Sequence, residues 1–338
     1  MNRTIKILDF IIYWSIILIP FYIAIAPAPA SIFMGFLLAA FILKKALKKE
    51  FFFLKTSVNW PLLLLFMITC ISLFNSINYL DTFRGGIGRM AHFILVLFAL
   101  AEEVKDRKHA TKIIVSMLFG VTLVSVDAIW QVAFGADFIR GYEPVINIGL
   151  VRATASFKDS NTFGIFLSAI APLAFGLTLY YFKGRRRLLL AIPSFLIFLG
   201  ILLTYSRPTL LAIYLILLFF ALVRKDKILI FCLVIVALLS PLLLPKSVKQ
   251  WAKEVEYNPV RFMCNDDRIA AYRNSMNMIK AHPLIGVGAN TYMKNYKKYK
   301  ESPEYRNVVT QDTMYAHNMY LQMAAEIGLI GFGIFIWL

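Results

Sequence analysis

The sequence contains few charged residues. Asp, Glu, Lys and Arg make up 16% of its 338 residues, and hydrophobic side chains make up 59%; soluble domains carry about 25% charged residues. This composition leaves too little polar surface to cover a water-soluble globule, and it is too apolar for a disordered chain. We therefore expect an all-α integral membrane protein whose apolar residues form blocks of about 20, the helix length that crosses a bilayer.

The sequence also lacks the common signatures of metal and nucleotide sites. Its three cysteines, Cys70, Cys232 and Cys264, show no CxxC spacing, which argues against a disulfide framework or a zinc site. Glycine-rich phosphate loops, HExxH and GxSxG are absent. Asp266 and Asp267 are a poor metal pair, because neighbouring side chains on a helix point about 100° apart. We expect neither a metal nor another cofactor.

Apolar residues are grouped into ten runs that predict transmembrane helices, with boundaries good to about 2–4 residues. The runs lie near residues 8–26, 30–43, 60–75, 87–101, 113–134, 160–182, 188–205, 208–223, 228–245 and 319–338. This predicts a nine-helix membrane domain over 1–245, a polar helical loop over 246–318 and a tenth helix over 319–338. Because that helix ends at Leu338 without a polar flank, we expect the chain to be truncated there.

The distribution of positive charge predicts the orientation. Lys and Arg total 36 against 19 acidic residues, a net charge of +17. With the N-terminus in the cytoplasm, 18 cations fall in inner loops, 6 in short outer loops and 12 in residues 246–318. The threefold bias fits the positive-inside rule, which does not bind loops longer than about 60 residues. Topology thus accounts for most of the surplus, and we expect no nucleic-acid partner.

The outer segment 246–318 contains two predicted helices. Asp266 and Asp267 are placed to cap the first, whose apolar face is predicted to be Ile269, Tyr272, Met276 and Ile279, at helical spacing. His282-Pro283 is typical of a helix end. A second, polar helix is predicted over residues 290–300.

Cations near the outer membrane surface are candidates for anion binding, because ionisable residues at membrane depth are costly. Arg207 lies in the short junction Thr204-Tyr205-Ser206-Arg207-Pro208; it is either an anion clamp or an arginine that snorkels to the interface. Arg152 precedes the sixth run, and Ser160 or Asn161 is predicted to cap the helix of that run. The N-terminus of this helix would favour an anion beside Arg152; the alternative is an ordinary cap beside a solvated arginine. Arg268 is either a ligand for an anion or half of a surface ion pair.

His317, at the start of the last run, is the candidate general base. An imidazole accepts a proton near neutral pH, and neighbouring cations favour its neutral form. The alternative is a structural histidine. Gly328, Gly331 and Gly333 permit close helix packing. Acids well inside a run, such as Asp127, are few, which makes a proton-coupled transporter the weaker class.

These motifs, taken in order, resemble the O-antigen ligase and polymerase superfamily over residues 150–338. The motifs are Arg152-x8-Asn161, Tyr205-Ser206-Arg207, Asp267-Arg268 through His282-Pro283-Leu284-Ile285-Gly286-Val287-Gly288, and His317-Asn318-x9-Gly328-x2-Gly331. The family usually has about twelve spans, with its large periplasmic loop after the ninth.

The resemblance implies a metal-independent transferase that takes a glycan from a polyprenyl-diphosphate carrier at the periplasmic face of the bacterial inner membrane. It implies His317 as base and Arg207 and Arg268 as diphosphate binders, with substrate contacts from the weaker candidates Arg152, Asn161, Tyr205 and Asn318. The expected reaction is O-antigen ligation to lipid A core, with inversion at the anomeric carbon. Polymerisation, protein glycosylation and transport of lipid-linked saccharides are the alternatives.

Overall fold

A computed structural model describes residues 2–50, 55–147, 149–243, 246–254, 256–258, 266–300 and 315–338. Cys264 lies outside these residues, as do residues 301–314. The described chain is helical apart from its loops and one short hairpin, β1 (Val145–Asn147) paired antiparallel with β2 (Leu150–Arg152).

Each of the ten predicted apolar runs forms a helix. They are α1 (Asn2–Ile25), α2 (Pro27–Lys48), α3 (Asn59–Ile71), α4 (Tyr79–Glu103), α5 (Arg107–Phe134), α6 (Ser160–Tyr181), α7 (Gly184–Leu203), α8 (Arg207–Arg224), α9 (Lys227–Leu243) and α13 (Met319–Trp337). Eight are long and apolar enough to cross a membrane; α3 and α9 are shorter. The protein is an all-α, multi-pass membrane protein, as its composition predicts.

The polar segment 246–318 contains three further described helices. They are α10 (Lys246–Glu254), α11 (Asp266–Ala281) and α12 (Tyr292–Tyr296), the last continued by a 3-10 turn over Lys297–Tyr299. The helix predicted over 290–300 is therefore present in two pieces. The first predicted helix begins at Asp266 and ends directly before His282-Pro283, since proline restricts the residue before it.

The chain forms two compact units. Unit 1 comprises Met1–Lys48 and Val104–Tyr257. Its core is made by α5, α6 and α7, where large apolar side chains such as Val121, Phe163 and Ile197 are fully buried. Small residues permit these helices to approach closely: a methyl group at Gly200 of α7 would lie 2.9 Å from Leu167 Cδ1 of α6.

Unit 2 comprises Lys49–Glu103 and Asn258–Leu338, so it contains α3, α4 and α11 to α13. One buried cluster joins the three last helices and includes Ala271, Met278, Val287, Tyr292, Tyr296, Ala316, Ala324 and Ala325. A second cluster joins α3 to α13 through Leu65, Ile68, Ala289 and Ile327.

Candidate functional site

Arg152 of unit 1 is held by two hydrogen bonds that connect three segments. Its Nε donates to the Thr204 carbonyl at 2.8 Å, and its Nη2 donates to Asn161 Oδ1 at 2.9 Å. Beside it, the Ala153 amide donates to the Leu203 carbonyl at 2.9 Å. The planar guanidinium suits two acceptors in fixed directions. Three predicted features, Arg152, Asn161 and the α7–α8 junction, are therefore brought together here.

The α7–α8 junction has a constrained backbone. Tyr205 adopts a left-handed conformation with φ of 46°, and its side chain is exposed. Left-handed backbone costs a bulky residue about 1–3 kcal/mol and is concentrated at functional sites. Arg207 follows as the first residue of α8 and is half-buried. This helix N-terminus presents a partial positive charge beside a cation, an arrangement that favours anions.

The prediction that Ser160 or Asn161 caps α6 is wrong. Asp159 is the cap: its Oδ2 accepts hydrogen bonds from the Thr162 amide at 2.7 Å and the Thr162 hydroxyl at 3.0 Å. Aspartate is among the strongest N-cap residues. The amide oxygen of Asn161 is instead the acceptor for Arg152.

Two buried polar residues of α5 hold the backbone on both sides of Arg152, a role that sequence reasoning missed. Gln131 is fully buried; its Oε1 accepts from the Thr154 and Ala155 amides at 2.8 and 2.9 Å. Asp127 Oδ1 accepts from the Phe138 amide at 2.8 Å. The available signal was a polar side chain inside an apolar helix, which here anchors a loop by satisfying its backbone donors.

His317 of unit 2 is exposed and sits immediately before α13. Its φ is 50°, a left-handed value, while its neighbour Ala316 is fully buried. Asn318 caps the helix, since its Oδ1 accepts from the Tyr320 and Leu321 amides at 3.0 and 3.2 Å. The backbone that carries the imidazole is thus fixed on both sides, by the burial of Ala316 and by the cap at Asn318.

Arg268 lies in the first turn of α11 and is half-buried. The predicted apolar face of this helix is only partly buried: Ile279 is buried, Ile269 and Tyr272 are half-buried, and Met276 is 44% exposed. The other buried residues of the helix are Ala271, Asn274, Ser275 and Met278. Polar Asn274 is buried because its Nδ2 donates to the Tyr296 carbonyl at 2.9 Å. A reading that counts apolar residues alone cannot find such a face.

The segment from Pro283 to Gly288 docks on a break in α13. Val287 and Gly288 donate their amides to the carbonyls of Ala325 and Glu326 at 2.9 and 3.0 Å. In return, the Leu329 amide donates to the Pro283 carbonyl at 2.7 Å. Gly328 makes the break possible, with φ of 74° and ψ of 177°, a region essentially restricted to glycine.

A cavity of about 470 Å³ lies within unit 2, between α3, α4 and α13. This volume is typical of ligand sites. Its lining is mostly apolar and includes Leu62, Phe93 and Phe335, with Arg89, Gln322 and Glu326 among its polar members.

Burial perturbs two tyrosines of α12. It raises the pKa of Tyr292 to about 12 and also raises the pKa of Tyr296. Both phenols therefore stay protonated at neutral pH, and the Tyr292 hydroxyl remains a hydrogen-bond donor.

The fold and its features define a polytopic α-helical membrane protein with a polar segment before α13. The sequence model of a family described as O-antigen ligase matches residues 192–336. A protein named O-antigen polymerase, from Salmonella muenchen, is 24% identical over 325 residues, which cover 88% of this chain and 76% of that protein. No solved structure matches. Both matches lie in the O-antigen ligase and polymerase superfamily, to which this chain is similar, and they confirm the resemblance found in its motifs.

Proposed function

We propose that this protein transfers a glycan from a polyprenyl-diphosphate carrier to an acceptor hydroxyl, at the periplasmic face of the bacterial inner membrane. The similarity to O-antigen ligases and polymerases supports the substrate class. The structural observation that carries the proposal is the packing of unit 2. Ala271, one turn after Arg268, and Ala316, next to His317, are fully buried in the same cluster. His317 and Arg268 thus lie in the same compact unit, next to residues of one buried cluster.

The chemistry requires few groups. The acceptor oxygen forms a bond to the anomeric carbon as the bond from that carbon to the diphosphate oxygen breaks, with inversion. His317 takes the acceptor proton as general base. Arg207 and Arg268 bind the departing diphosphate, since guanidinium forks match phosphate oxygens and stabilise the developing charge. In this role they replace a divalent cation.

The proposed acceptor is a second lipid-linked glycan, which makes the enzyme a polymerase. The observation that favours this acceptor is the name of the Salmonella muenchen relative, whose similarity extends over 88% of the chain. The description of the family model favours the second candidate, ligation to lipid A core. Arg152, Asn161, Tyr205 and Asn318 are proposed to help shape the substrate site, the first two through their mutual hydrogen bond.

The apolar cavity of unit 2 supports a lipid-borne substrate. Its lining from Leu62, Phe93 and Phe335 suits a hydrocarbon chain rather than a free sugar. The carrier's isoprenoid chain is proposed to enter between helices from the outer leaflet.

The test is glycan transfer by the purified protein, with His317→Ala, Arg207→Ala and Arg268→Ala compared in parallel. Loss of the base is expected to cost about 10²- to 10⁴-fold in rate, and loss of either arginine about 10²-fold. Arg187→Ala is the control, since Arg187 is exposed in the first turn of α7. Full activity in His317→Ala would refute the mechanism.

A chelator separates this proposal from metal-dependent transfer. Among the described residues, no group of three or more His, Cys, Asp or Glu is placed to hold a metal ion. We expect EDTA to leave the rate unchanged, and a rate lost on chelation and restored by a divalent cation would contradict the proposed role of the arginines.

A further inference from the structure

Glu326 is a buried acid of α13, and its carboxylate oxygens accept hydrogen bonds from the backbone at the start of α12. Its side chain is 8% exposed. One oxygen accepts from the Asn290 amide at 2.9 Å; the other accepts from the Tyr292 amide at 3.3 Å and from Gln322 Nε2 at 3.2 Å. A buried carboxyl group requires such donors in place of water. Glu326 therefore fixes the backbone that leads into Tyr292.

Tyr292 carries the connection onward to α11. Its side chain is 1% exposed, and its hydroxyl donates to the Ala271 carbonyl at 3.0 Å. The same hydroxyl pairs with Ser275 Oγ at 2.7 Å. A continuous path of hydrogen bonds thus runs from α13 through α12 to α11.

The two ends of this path carry the proposed reacting groups. Arg268 is three residues before Ala271 on α11. His317 precedes the cap of α13, the helix that contains Glu326. Apolar packing alone would allow the helices to slide, because dispersion contacts have little directionality. The directional hydrogen bonds of Glu326 and Tyr292 fix one helix relative to the other.

We propose that Glu326, acting through Tyr292, is a positioning residue that holds Arg268 and His317 in register for transfer. This inference rests on the proposed function. These hydrogen bonds join groups of the protein to one another, so their loss shifts Arg268 and His317 without removing either of them. The effect is expected in kcat, because transition-state stabilisation depends on geometry within fractions of an ångström.

The kinetic test uses Glu326→Gln and Tyr292→Phe. The glutamine has the same shape, but its NH₂ group faces an amide donor and cannot accept. We expect kcat to fall about 10- to 100-fold in Glu326→Gln with KM for the donor within about threefold. Tyr292→Phe loses only the hydroxyl, and a fall of about fivefold is expected. Tyr79→Phe, in the exposed first turn of α4, is the matched control.

The double variant tests whether the two residues act on one path. If they do, Glu326→Gln with Tyr292→Phe has the kcat of Glu326→Gln alone, within about twofold. Rates are normalised to monodisperse protein, so that a variant that merely folds less well gives an unchanged kcat. An unchanged kcat in both single variants, or a loss confined to KM, overturns the proposal.

A distance measurement separates failure of this inference from failure of the proposed function. Spin labels at Met276→Cys on α11 and Met319→Cys on α13, both exposed positions, report the separation of the two helices in a background without other cysteines. A distribution of label-to-label distances that is narrow in the wild type and broader in Glu326→Gln supports the proposed role of Glu326 in fixing α11 relative to α13, even if the wild type transfers no glycan. An identical distribution in the variant overturns it, even if transfer is observed.

Discussion

Replacement of Gly328 by alanine is expected to destabilise unit 2 severely. A Cβ atom at this position would overlap the Leu284 carbonyl and lie 2.5 Å from the Ile285 nitrogen. These are backbone atoms, in a segment anchored by the amides of Val287 and Gly288. Neither a rotamer change nor a small shift relieves the overlap.

The magnitude follows from two terms. Alanine at φ of 74° and ψ of 177° costs about 1–3 kcal/mol in backbone strain. Overpacking against fixed neighbours costs about 1–3 kcal/mol more, for a total of about 2–6 kcal/mol. That is a large fraction of the 5–15 kcal/mol by which proteins are typically stable.

Gly333→Ala is the matched control in the same helix. A Cβ atom there meets no atom within 4 Å, and alanine favours helix by about 1 kcal/mol. The assay is the fraction of monodisperse protein in detergent after heating, with thiol labelling of half-buried Cys70 in α3 as a local probe of unit 2. Equal stability of Gly328→Ala and Gly333→Ala would refute the reasoning.

Three further predictions concern Arg152, Asn318 and Tyr292. Arg152→Lys keeps the charge but cannot reach both acceptors, so thermal stability is expected to fall by about 1 kcal/mol, with no fall in the exposed control Arg187→Lys. Asn318→Ala removes the cap of α13 and is expected to cost about 1 kcal/mol, while Asn318→Asp retains stability. Because the pKa of Tyr292 is raised from 10.0 to about 12, the folded protein keeps a proton that the unfolded chain releases. The stabilising contribution of protonated Tyr292 is thus complete below pH 10 and is lost as the pH rises towards 12. Over that range the free energy of unfolding is expected to fall more steeply with pH in the wild type than in Tyr292→Phe. Equal slopes in the two proteins would show that the assignment is wrong.

The helices themselves were predictable from the sequence, because bilayer thickness imposes the length of each apolar run. The end of α11 at His282-Pro283 was also predictable, since proline acts on its immediate neighbours. Both inferences depend only on residues close together in the chain.

Contacts between distant residues were not predictable in this way. The bond from Arg152 to the Thr204 carbonyl joins residues 52 apart. The register of α11 depends on the Asn274 bond to Tyr296, and the break at Gly328 depends on the carbonyl of Pro283. Close packing was expected of Gly328, but its left-handed backbone is specified by the segment that docks there. Sequence pattern proposed His317 and the arginines as candidates, and only a structure shows the contacts that hold the segments carrying them.

The measurement that most directly tests the proposed function is the mass of the product. Purified protein in vesicles is supplied with a polyprenyl-diphosphate glycan and, separately, with a second lipid-linked glycan or lipid A core as acceptor. We predict a covalent product with the summed mass of donor glycan and acceptor, formed with the lipid-linked acceptor and absent in His317→Ala. Movement of the donor across the vesicle membrane without any new glycosidic bond would contradict a transferase and identify a transporter.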